Sequence, residues 1–215
     1  MANIHEAARE LCAANPIIPV VVIDDPANAV EAGKALLAGG ITSAEVTFRT
    51  RAAAEVIAEM TKVEGLTVGA GTVINPEQAR RAVDSGATFL VSPGFSPSVA
   101  KFALENGVPF VPGVNNSTTI MAALDLGFET LKFFPAVASG GLPVVKALSA
   151  PFPSVKFVAT GGIGPANLAE WISNPALASV GGSWMITRKD VAERNFSAIT
   201  ELSAQAMEIV REARR

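Results

Sequence analysis

Two lysines interrupt apolar runs in this sequence: Lys132 in "ETLKFFPA" and Lys156 in "SVKFVATGG". An ammonium buried without a partner is costly, so such a lysine snorkels out, is paired, or gives up its proton. The deprotonated form is a nucleophilic amine, able to form an imine with a carbonyl. Lys132 sits nearer the end of its run and Lys156 nearer the start, which modestly favours Lys132 for chemistry. Glu45, Thr47 and Arg49 alternate along another run and so share one face of a strand. Two readings stand level. One is a buried ion pair. The other is a working carboxylate beside a guanidinium that grips a carboxylate or phosphate. Two further runs end in Gly161–Gly162 and Gly181–Gly182, the second followed by Ser183. Glycine pairs expose backbone N–H groups to an anion such as phosphate. One pair can be only a tight turn; two at the ends of consecutive runs are a more specific sign.

These residues need a scaffold, and the chain alternates in a way that provides one. Eight strand-like runs recur: "PVVVID" (19–24), "SAEVTF" (43–48), "LTVGAGT" (66–72), "ATFLVSPG" (87–94), "VPFVPG" (108–113), "TLKFFP" (130–135), "VKFVATGG" (155–162) and "LASVGGSW" (177–184). Helical stretches lie between them. Pro26, Pro76, Pro97 and Pro165 fall where a first helical turn should begin, and Gly40, Gly86, Gly107 and Gly127 where a helix should end. Near-continuous apolar strands alternating with helices imply a parallel sheet covered by helices. Eight units predict an α/β fold: a (β/α)₈ TIM barrel with an extra N-terminal helix over about 3–14, as one domain spanning 1–215. An open doubly wound sheet is the alternative, weakened by the lack of a G-x-G-x-x-G after the first strand. A barrel puts its active site at the C-terminal strand ends. Further polar residues expected there are Asp24, Asp25, Thr72, Ser92, Asn115, Asn116 and Thr160. Asp25, just before Pro26, is most simply a helix N-cap.

Composition narrows the chemistry. The net charge of −3 argues against a nucleic-acid surface. The basic "REARR" at the C-terminus reads as a solvated helix end. One cysteine, Cys12, and one histidine, His5, make a zinc site an unpromising expectation, and no metal or other cofactor is predicted. Both belong to the leading helix and are assigned no chemistry. No long apolar run is fit to span a membrane and no leader is apparent, so a cytoplasmic location is expected.

In order and spacing, "EVTFRT" (45–50), "VGAGTV" (68–73), "SPG" (92–94), "PG" (112–113), "KFFPA" (132–136), "TGGI" (160–163) and "GGSW" (181–184) resemble a known family. It is that of the class I aldolases acting on 2-keto-3-deoxy-6-phosphogluconate (KDPG), some of which also act on 4-hydroxy-2-oxoglutarate (KHG). The resemblance runs from about Ile17 to the end of the last strand. It implies that Lys132 is the Schiff-base lysine and Glu45 the general acid/base. It implies that Arg49 and Thr72, with Thr160, hold the substrate, and that Gly161, Gly162 and Ser183 hold its phosphate. It also implies a metal-free (β/α)₈ homotrimer whose partner is a phosphorylated keto acid. The chain departs from the pattern in "FVATGG" (157–162), where relatives often read "FCPTGG", and in the polar "VNNSTT" (114–119). Two alternatives remain: an aldolase for the 6-phosphogalactonate isomer, disfavoured by Arg49, and a non-catalytic phosphate-binding oligomeric barrel.

Overall fold

The computed structural model describes residues 3–215. The elements run α1 (Ile4–Ala14), β1 (Ile17–Val21), a 3₁₀ turn (Pro26–Asn28), α2 (Ala29–Ala38), β2 (Ser43–Thr47), α3 (Ala53–Met60), β3 (Thr67–Gly71) and α4 (Pro76–Asp84). They continue with β4 (Leu90–Val91), α5 (Pro97–Asn106), β5 (Phe110–Val111), β6 (Gly113–Val114), α6 (Ser117–Leu124), β7 (Thr130–Phe133) and α7 (Gly141–Ser149). The chain ends with β8 (Lys156–Thr160), α8 (Leu168–Ile172), β9 (Leu177–Gly182), α9 (Arg188–Ala192) and α10 (Phe196–Ala213).

All strand pairs are parallel, in the order β5-β4-β3-β2-β1-β9-β8-β7-β6. The two ends of that order, β5 and β6, are joined through Pro112 alone, so the sheet closes on itself. Proline has no N–H to give the ladder, which splits one barrel strand into two short segments. The result is the expected TIM-like barrel with α1 ahead of β1.

Strand alternation sorts the side chains. Ile17, Val21, Ala44, Val46, Leu131, Phe133, Phe157 and Ala159 pack outward in the main core, beneath the helices. Ile18, Phe89, Val91, Val111 and Val158 point the other way and form an inner cluster with Ala8 and Cys12 of α1. The leading helix therefore plugs the barrel's N-terminal mouth. The Cys12 thiol is fully buried, and its pKa is pushed up to about 12 by burial, with the negative charge of Glu45 adding to the effect.

The expected punctuation is largely present. Asn75 and Ser96 cap the helices begun by Pro76 and Pro97, and Asp25 accepts a hydrogen bond from the Ala27 N–H ahead of the 3₁₀ turn. Gly40, Gly86, Gly107 and Gly127 all adopt the left-handed conformation that ends a helix. Two expectations are corrected. Pro165 does not open a helix: it lies in a turn, and α8 starts only at Leu168, after the Gly164 N–H has bonded to Asn167. The first strand starts at Ile17 rather than Pro19. Proline suits a strand's first position, but Ile17 and Ile18 already pair with Val180 and Gly181 of β9.

Candidate active site

Glu45 lies mid-way along β2 and Lys132 within β7, strands on opposite sides of the closed ring. Both point inward, and their side chains meet across the barrel. Lys132 Nζ donates to Glu45 Oε1 at 2.9 Å and to Oε2 at 3.2 Å. The residues are only 5% and 2% exposed, so the pair is shielded from water. Gly71 makes room for it: a Cβ there would overlap the Glu45 carboxylate. The Phe134 ring lies 5.5 Å from Lys132 Nζ and offers the cation its face.

This geometry corrects one expectation about β2. Glu45 takes Lys132, not Arg49, as its ion-pair partner. Glu45 and Thr47 do share a buried strand, but β2 ends at Thr47 and Arg49 sits in the following turn, exposed. The Thr47 hydroxyl donates to the Val21 carbonyl, a structural bond between strands. Lys156 behaves as its place in the sequence implied. It opens β8 at the N-terminal end, is exposed, and donates to the Pro175 carbonyl at 2.9 Å.

Above the pair, toward the C-terminal strand ends, a cavity of about 110 Å³ brings together Arg49, Phe134, Thr160, Gly161, Gly162 and Ser183. Five of the predicted site residues thus share one cavity. The Thr160 hydroxyl is buried and has no hydrogen-bond partner within the protein. An orphaned buried hydroxyl is unfavourable unless something else completes it. Gly181 leaves the space that hydroxyl occupies. Gly161 and Gly162 turn the chain at φ +106° and +81°. Among the described residues, no acceptor is bonded to the N–H of Gly162, Ile163 or Ser183. That cluster of free donors suits an anion.

Thr72 is placed differently. It directly follows β3, half-buried and outside that cavity's lining, at φ +56°. A β-branched residue rarely adopts that conformation, and such strain tends to mark functional positions. Asp24 forms an ion pair with Arg188 at 2.7 Å, and Asn116 caps α6. The space-making role of Gly71 was not foreseen from the sequence, and Gly181, expected as half of a phosphate-facing glycine pair, also makes room for Thr160. The signal for Gly71 was present in "VGAGT", because glycine inside a strand often marks a close approach.

A family model described as KDPG and KHG aldolase matches residues 8–202. The chain belongs to this family. Among curated members of the KDPG and KHG aldolase family, the 2-dehydro-3-deoxy-phosphogluconate aldolase of Treponema pallidum is 45% identical over 195 residues, covering 90% of this chain and 93% of the relative. Two solved structures of the family superpose closely. The 2-keto-3-deoxy-6-phosphogluconate aldolase of Zymomonas mobilis ZM4 with 3-phosphoglycerate has a TM-score of 0.89 at 40% identity, covering 94% of this chain and 95% of that one. The KDPG aldolase of Legionella pneumophila, with pyruvate captured as a covalent carbinolamine, has a TM-score of 0.89 at 40% identity, covering 93% and 97%.

Proposed function

We propose that this chain is a Schiff-base aldolase reversibly cleaving 2-keto-3-deoxy-6-phosphogluconate to pyruvate and glyceraldehyde 3-phosphate. 4-Hydroxy-2-oxoglutarate, cleaved to pyruvate and glyoxylate, is its second substrate. The observation that carries this reading is the shielded contact of 2.9 Å between Lys132 and Glu45 beneath a cavity rich in free N–H donors. A barrel that only bound phosphate would have no use for a buried amine facing a carboxylate. The relatives' activities and the carbinolamine of the Legionella enzyme support the same chemistry.

The steps follow from who touches whom. Lys132 passes a proton to Glu45 and attacks the C2 carbonyl, giving a carbinolamine. Glu45 returns the proton as water leaves, and the iminium forms. This cation draws in the electrons of the C3–C4 bond as it breaks. Glu45 takes the C4 hydroxyl proton and glyceraldehyde 3-phosphate departs. Glu45 then protonates C3 of the enamine, and hydrolysis of the imine frees pyruvate and Lys132. One carboxylate serves as base and acid in turn. Arg49 and Thr72 hold the pyruvyl carboxylate, Thr160 completes its hydroxyl with a substrate oxygen, and Gly161, Gly162 and Ser183 take the phosphate.

The wider reading is a single domain over 1–215 that works as a cytoplasmic homotrimer. The continuous ladder around the ring supports the single domain. Among the described residues, no helix is long and apolar enough to cross a membrane. Ile74 and Met121, more than half exposed, provide apolar surface for assembly. The test is borohydride reduction in the presence of pyruvate, followed by peptide mapping. A reduced pyruvyl adduct on Lys132 is expected. An adduct on Lys156, or none on the folded protein, would overturn the assignment.

A further inference from the structure

The barrel wall is thinnest beside the nucleophile. β4, β5 and β6 contribute two residues each, and Pro112 removes one donor from the middle of their seam. Ser92, which directly follows β4 and is fully buried, stands at this weak point. Its N–H donates to the Val111 carbonyl at a long 3.4 Å. Its hydroxyl donates to the Gly94 carbonyl at 2.7 Å and accepts the Gly113 N–H at 3.3 Å. A hydroxyl thus does what a backbone carbonyl would do in a regular ladder, just where the chain turns away at Pro93.

The other edge of the same short ribbon holds the lysine. Gly113 is in register with Lys132, and the Lys132 N–H donates to the Pro112 carbonyl at 2.8 Å. Gly113 has no slack on its first edge, because a Cβ there would overlap the Pro93–Gly94 backbone. The backbone of Lys132 is therefore braced by Pro112 and Gly113, which are in turn braced by Ser92. Nζ must reach Glu45 from the opposite wall, so a displaced wall displaces the reacting amine.

We propose that Ser92 is a positioning residue for the Schiff-base step, acting through Gly113 and Pro112 to hold Lys132 level with Glu45. The inference rests on the aldolase reading above. It separates Ser92 from the residues that take the phosphate, whereas Thr72, at the end of β3, adjoins the Ser92 seam, where the Val73 N–H donates to the Val91 carbonyl at 3.1 Å. Arg49 follows β2, and Thr160, Gly161, Gly162 and Ser183 lie at the ends of β8 and β9, away from the Ser92 seam. Loss of the hydroxyl should therefore slow chemistry while leaving the grip on the phosphate intact. Misplacing a reacting group by about 1 Å can cost ~100-fold in rate.

The experiment compares Ser92→Ala, Ser92→Cys and the unaltered protein for kcat, KM and the rate of borohydride trapping with pyruvate. Ser92→Ala should lower kcat and the trapping rate together, by between ~10-fold and ~100-fold, with KM for the phosphorylated substrate within about twofold. Ser92→Cys, which keeps a weak donor and acceptor at that position, should fall in between. Trapping by Ser92→Ala at the unaltered rate, or a raised KM with normal kcat, would overturn the proposal. If Ser92→Ala does not fold, Ser92→Cys decides: slower trapping at normal KM supports the role and unaltered trapping refutes it. An unaltered protein that pyruvate does not trap would instead remove the Schiff-base reading, and this inference with it.

Discussion

Lys132 and Lys156 sit on adjacent strands, with Lys156 in register with Thr130 and Lys132 in register with Val158. Two residues of strand, roughly 7 Å along the chain, separate their levels in the barrel. At the lower level the ammonium escapes to water and a backbone carbonyl; at the upper level it is enclosed and meets a carboxylate. The surroundings differ as sharply. The N-terminal mouth is plugged by α1, whose Ala8 and Cys12 pack on Val91, Val111 and Val158. The C-terminal side is hollowed by glycines, with Gly71 making room for Glu45 and Gly181 for Thr160. Level within the barrel, not residue type or local strand context, separates a reactive lysine from a solvated one.

The sharpest way to break this comparison is to alter each lysine in turn. Lys132→Arg keeps a positive charge facing Glu45 but cannot form an imine. Activity should fall by about 10⁴-fold or more, and pyruvate trapping should vanish. Lys156→Ala should leave kcat/KM within about twofold, since distant exposed substitutions are nearly silent. Comparable losses in the two variants would show that the floor and the working face have been confused. Glu45→Gln comes next. It keeps the shape but removes the proton shuttle, and general acid–base catalysis is worth roughly 10²–10⁴-fold. Single-turnover assays should show that loss in both carbinolamine dehydration and C3–C4 cleavage, and normal single-turnover rates would exclude Glu45 as the shuttle.

Thr160→Val sharpens the contrast between groups that hold the fold and groups that await a ligand. Its hydroxyl makes no bond within the protein, so removing it should not lower the Tm. If the hydroxyl bonds substrate, kcat/KM should fall by roughly tenfold, the value of one net hydrogen bond. A lower Tm with unchanged kinetics would mean that Thr160 serves the fold instead. Thr47 is the internal control, because its hydroxyl does bond the Val21 carbonyl.

The fold was legible because parallel strands buried on both faces leave continuous apolar runs, and because Asn75–Pro76, Ser96–Pro97 and the terminating glycines mark helix ends chemically. The split of one strand at Pro112 was not legible, since a proline in "VPFVPG" fits a strand end as well as a strand interrupted in its middle. In the site, Lys132 and Glu45 stood out as charges inside apolar strands, but nothing local said that they were each other's partners. Their contact joins opposite walls across a sequence separation of 87. Alternation along β2 pointed to Arg49 instead, and that pattern lapses where the strand ends at Thr47. Fold-level closure, invisible to a local pattern, makes the pair.

The smallest effect belongs to Cys12, the plug residue nearest in influence to the site. Its pKa is about 12 when folded against 9.0 for an ordinary thiol, so the folded protein keeps a proton that the unfolded chain gives up. Below pH 9 the two states bind this proton alike. As pH rises from 9 toward 12, the unfolded chain loses it first, so folding stability must fall, by at most about 1.4 kcal/mol per pH unit. Cys12→Ala removes that term. Urea unfolding between pH 8 and 11 should therefore show the stability gap between the unaltered protein and the variant narrowing above pH 9. Pyruvate trapping at pH 8 should remain within about twofold, because the substitution lies in the plug. A gap independent of pH would mean that the thiol is not held protonated by burial. A variant that folds normally yet traps pyruvate tenfold more slowly would show that the floor tunes Glu45, and that the two ends of the barrel are less separate than their construction implies.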